Sequence, residues 1–137
     1  MNSRESWIAA VPSCIAVMIC FLILGCAAEV TRHTVVFNSL GSASDTGQKL
    51  VRKNELVTFN SGYERTIQKD SPWKLVGSVP QGKVYASLGS VFSVEGAHVH
   101  EAYLVVTKGN LVGFYLPVEK SFSPLNLVRV INLWEEK

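Results

Sequence analysis

What the chain has little of narrows the possibilities before any motif is considered. Cysteine is confined to one end: Cys14, Cys20 and Cys26 are the only three in 137 residues, and none follows position 26. A disulfide framework, which small exported domains use in place of a large core, is thereby excluded for the rest of the chain. Charge of one sign is also missing, with 13 Lys and Arg against 11 Asp and Glu and a formal net charge of +2. Arg52-Lys53 is the only adjacent basic pair. Nucleic-acid binding calls for a clustered basic face, so no nucleic-acid partner is expected.

Catalytic signatures are equally thin. No serine sits in a Gly-x-Ser-x-Gly elbow. The segment Gly41-Ser42-Ala43-Ser44-Asp45-Thr46-Gly47 ends without the Lys-Ser or Lys-Thr that a phosphate cradle needs. Glu95 and Glu101 form a carboxylate pair only in the sense that any chain offers one. An enzyme is therefore not expected. Helical periodicity is absent as well, since from Leu50 onward no window of eleven or more residues repeats at the helical spacing.

What the chain does have is one long apolar run, residues 7–25, behind a short N-terminus and ending at Cys26. Downstream the composition turns mixed at once, with Glu29, Arg32 and His33 close together. Such a segment is what a translocation machine recognises, and it is set aside before the fold is considered. Its end, Ile23-Leu24-Gly25-Cys26, resembles the lipobox of bacterial lipoproteins, in which aliphatic residues and a small residue precede the modified cysteine. That resemblance implies a diacylglyceryl group on the Cys26 sulfur, cleavage just before Cys26, and usually acylation of the new amine. It implies no other cofactor. Ala27, where Asp would signal retention at the inner membrane, favours the outer membrane on the periplasmic side. An uncleaved signal anchor stays open, because 19 apolar residues come close to the roughly 20 that span hydrocarbon.

Removing the first 25 residues leaves 112 of 137, enough for one small domain with its own core. The expected organisation is a signal peptide over 1–25, a lipidated N-terminus and flexible linker over 26–48, and a β domain over 49–137. Thr34-Val35-Val36-Phe37 reads as a short strand, followed by linker composition from Asn38 to Gln48. A flexible 27–48 would reach roughly 25 Å.

Beyond it the chain reads as short strands divided by turn residues, giving an all-β fold, a small antiparallel barrel or sandwich of six to eight strands after the apolar signal helix. The spacing from Trp73 to Pro117 is faintly similar to that of small SH3-like β-barrels. Residues 63–68 place Tyr63, Arg65 and Ile67 on one face of a half-wet strand. Pro80-Gln81 offers a turn between two strands. Residues 98–106 and 111–116 read as a hairpin across Lys108-Gly109. That register sets Tyr103 opposite Phe114, Val105 opposite Val112 and Val99 opposite Val118, with Glu101 intruding unless the register slips by one. Residues 127–134 carry apolar groups on both faces, as a central strand closing the sheet would.

Two sets of residues stand out as candidate sites besides Cys26. His98 and His100 project from one face of a strand, with Glu119 opposite His98 in that register, and two imidazoles with a carboxylate can bind a metal. The preferred alternative is a plain polar strand end, so no metal is expected. Pro117, Phe122, Pro124 and Leu125 lie in an irregular stretch. They either plug the end of the core or form an exposed apolar ridge for a protein partner. The function expected from all this is a membrane-anchored, non-enzymatic interaction module in the bacterial envelope, an accessory part of an envelope or secretion assembly. The alternative is a ligand-binding or enzyme-inhibiting periplasmic lipoprotein.

Overall fold

Strand-forming residues and tight turns produce thirteen strands in the computed structural model, which describes residues 28–41 and 47–135. The expected signal peptide over 1–25, Cys26 and most of the Ser-rich loop lie outside the described residues. In chain order the strands are β1 (His33–Thr34), β2 (Asn38–Ser39), β3 (Lys49–Val51), β4 (Glu55–Thr58), β5 (Glu64–Ile67), β6 (Pro72–Val79) and β7 (Gly82–Ser87). They continue as β8 (Ser93–Glu95), β9 (Val99–Glu101), β10 (Tyr103–Thr107), β11 (Asn110–Leu116), β12 (Ser121–Val130) and β13 (Leu133–Glu135). The domain is all-β and every pairing is antiparallel.

The two expected hairpins are present. Pro80-Gln81 joins β6 to β7 with Val79 opposite Gly82. Lys108-Gly109 joins β10 to β11 with Thr107 opposite Asn110. Both residues of the second turn have positive φ, 48° and 78°, as a two-residue hairpin loop that follows the strand twist requires. Glycine supplies that backbone freely and Lys108 adopts it at a cost.

Beyond the turn the register departs from expectation. A bulge at Val112 shifts the pairing by one, so Tyr103 faces Tyr115, Leu104 faces Phe114 and Val105 faces Gly113. The slip exchanges faces. The expected single strand over 98–106 also breaks at Ala102: β9 leaves the main sheet and pairs with β8 in a small ladder of its own. Glu101 lies opposite Ser93 there and intrudes on nothing.

The main sheet runs β1-β12-β11-β10-β7-β6-β3-β13, with β2 added on β6; β4-β5 and β8-β9 form two satellite ladders. This is more strands, and shorter ones, than six to eight. The ladder does not close into a barrel. β13, the end strand on one side, nevertheless follows directly on β12, the second strand from the other side, with only Ile131 and Asn132 between them.

Alternation along the strands gives the sheet two cores. One face presents Leu104, Phe114, Leu116 and Tyr85 to a large cluster with Trp73, Phe59 and Phe92. The other presents Val105, Tyr115, Val84 and Phe122 to a smaller cluster. The second core is covered by the N-terminal strap, from which Val35 and Phe37 point inward while Val36 points out. Phe37 stacks on Tyr115 with ring centroids 4.8 Å apart. Gly113 and Gly77 lack the Cβ atoms that would strike the rings of Phe122 and Phe37, so both aromatics lie against bare backbone.

The strap corrects the expected flexible linker. β1 pairs with β12, β2 pairs with β6, and Val30 is buried. Residues 28–41 of the expected linker thus pack on the domain.

Candidate functional site

Three elements converge just beyond the C-terminal end of β11. The strap brings Arg32, β9 brings His100, and the four-residue turn between β11 and β12 brings Glu119. His100 is buried, and its Nδ1 lies 2.5 Å from Glu119 Oε1. The Arg32 guanidinium stands 3.5 Å from His100 Nε2 and 2.6 Å from Glu29 Oε1. Glu119 meets one ring nitrogen of His100 and the Arg32 guanidinium faces the other, so both ring nitrogens have a polar neighbour.

Burial pushes the Glu119 carboxyl up. The hydrogen bond from His100, a backbone hydrogen bond and the charges of His100 and Arg32 more than offset this, and the carboxyl sits below its ordinary range. Its second oxygen is buried without a hydrogen-bond partner. The Ser121 hydroxyl fixes the turn by donating to the Glu119 carbonyl at 2.9 Å. The cluster is a clasp: a chain of polar contacts holding the strap to β9 and to the turn.

Sequence reasoning found two members of this clasp and misassigned their geometry. His98 is exposed, its ring is perpendicular to that of His100 at 6.4 Å, and it does not meet Glu119. The partner of Glu119 is His100 because β9 leaves the main ladder. Among the described residues no group of three His, Cys, Asp or Glu side chains is arranged to hold a metal ion. Glu95 and Glu101 stand at opposite ends of the β8-β9 ladder. Arg32 was missed, since nothing in its linker-like surroundings marks it.

The exposed ridge formed by Phe122 and Leu125 is not present. Phe122 is buried in the second core against Val105 and Tyr115, with the His33 ring edge-on at 5.4 Å. Leu125 is buried in the main core. Pro124 is half-buried opposite Gly113, and Pro117 is half-buried at the start of the turn. The apolar surface lies a few residues further on, where Leu127, Val128 and Val130 are 67%, 58% and 63% exposed. Pro124 pairs with Gly113 and Arg129 with Leu111, so four residues of β12 stand against Val112 alone. That bulge turns residues 126–130 outward, so Leu127, Val128 and Val130 meet solvent, whereas further along the expected central strand Ile131 is buried in the main core and Leu133 packs against it.

A separate cleft of about 450 Å³ opens between β5 and the strands carrying Trp73 and Ser87. Phe92 and Trp73 line its apolar side, and Arg65 lies across the Phe92 ring at 5.4 Å. Among the described residues no helix is long and apolar enough to cross a membrane. No protein-family model, curated protein or solved structure matches the chain.

Proposed function

We propose that this is a lipid-anchored protein of the bacterial cell envelope, attached through Cys26 on the periplasmic side of the outer membrane. Its β domain acts as a non-enzymatic interaction module, an accessory part of an envelope or secretion assembly. The observation that carries the interaction reading is the exposed apolar end of β12, Leu127, Val128 and Val130. Contiguous exposed apolar groups on a small domain mark a contact surface for another protein. The apolar run ending in Ile23-Leu24-Gly25-Cys26 supports the placement. A photo-crosslinking residue at Leu127 in the full chain, in its own envelope, is expected to capture one reproducible protein, and the same residue at exposed Lys53 is not. Equal and unspecific capture at both positions contradicts the reading.

The cleft favours one second reading, a ligand-binding lipoprotein. Aromatic walls with Arg65 and the Ser71 and Ser87 hydroxyls suit a small ligand with an apolar ring and a polar or anionic group. Replacing Arg65 with Ala then abolishes ligand retention without affecting crosslinking from Leu127.

A further inference from the structure

We infer that the end of the domain bearing the β8-β9 hairpin and the turn at residues 117–120 rests on the lipid bilayer, with Val99, Val118 and Lys120 facing the headgroups. This rests on the proposed membrane attachment at Cys26. It follows from how little chain separates that attachment from the folded body.

Val30 is buried, and its side chain and the Ala28 carbonyl cover Gly96 so closely that a Cβ there has no room. The tether from Cys26 to this fixed point is four residues. A trans chain spans at most about 3.6 Å per residue, so Cys26 lies within roughly 14 Å of Val30 and roughly 7 Å of Ala28. That is far less than the reach of a free linker over 27–48. The strap cannot lengthen the tether by peeling away without giving up the Val30 packing, the Arg32 contact to His100 and the β1 pairing. The end of the body beside Ala28 is therefore held at the membrane surface.

The residues at that end fit the role. Val99 immediately precedes buried His100, and Val118 immediately precedes Glu119, which His100 holds. The two valines adjoin the clasp residues along the chain and are 69% and 78% exposed. Lys120 and His98 are exposed beside them, and Glu95 is the exposed acid on the same hairpin. With charges of both signs present, contact depends on the tether and the valines more than on charge, so it should be insensitive to salt. The Lys108-Gly109 turn lies at the opposite end of β10 and β11, roughly 15 Å further along the strands than Tyr103. It should stand clear of the lipid.

The test uses the lipidated protein, confirmed by intact mass and reconstituted in vesicles of phosphatidylethanolamine and phosphatidylglycerol doped with a headgroup nitroxide lipid. A fluorophore is placed in turn on Val118→Cys, Val99→Cys and Lys108→Cys. All three sites are exposed, so folding should be retained, and the valine positions check each other. Labels at 118 and 99 are expected to be quenched several-fold more than the label at 108, with little change on adding salt. Acylated protein that floats with the vesicles but shows equal quenching at 118, 99 and 108 overturns the orientation and leaves the anchor standing. Protein that carries no acyl mass and does not float overturns both.

Discussion

The two halves of β12 make an instructive comparison. Residues 121–125, Ser-Phe-Ser-Pro-Leu, include two serines and a proline, yet all but Pro124 are buried. Residues 126–130, Asn-Leu-Val-Arg-Val, carry three large aliphatic side chains, yet all five positions are exposed. Composition ranks the halves in the wrong order. What decides burial is the company across the strand: the first half lies between β11 and β1, with Phe122 laid over Gly113, whereas the second swings out where four residues oppose Val112. A run of apolar residues on both faces thus describes a central strand and an exposed bulge equally well.

Phe122→Ala gives the largest expected effect. Removing that ring opens a cavity under the strap and should cost about 3 kcal/mol or more, read as a lower denaturation midpoint at unchanged slope. A loss below about 1 kcal/mol would show that the first half is not held by its core. Next comes the clasp that ties the turn before β12 to the strap. Because Glu119 is held below the ordinary carboxylate range, its ionised form stabilises the fold at pH values above about 4. That contribution disappears as pH falls through the folded-state value. Glu119→Gln should cost about 1.5 kcal/mol near neutrality, and its melting temperature should fall less steeply than the wild type's below about pH 4. Parallel profiles would remove the clasp from the account. The smallest effect belongs to the second half: Leu127→Ser with Val128→Ser should shift stability by no more than about 0.5 kcal/mol while abolishing partner capture. A large loss of stability would mean that these side chains are buried in solution.

Turn chemistry was the most legible part of the fold. Lys108-Gly109 and Pro80-Gln81 sit where local backbone preference dictates, and Tyr63, Arg65 and Ile67 share the less exposed face of β5 as alternation requires. Long-range choices were not legible. Val112 is apolar whether or not it bulges, so nothing local announces the slip that moves Phe114 to the face of Leu104. The break at Ala102 is equally silent, and it decides that His100, not His98, meets Glu119. The strap was misread because Ser, Gly and Asn around Phe37 resemble a linker, whereas Val35 and Phe37 alternate inward and find a core that only the folded sheet creates.

We propose that Cys26 carries a lipid that sets this domain at a membrane. Intact mass of the protein isolated from cell membranes is the decisive measurement. The expected result is a chain beginning at Cys26 with a diacylglyceryl group, usually with a further acyl chain on its amine. A chain beginning at Met1 with no fatty acid would contradict it.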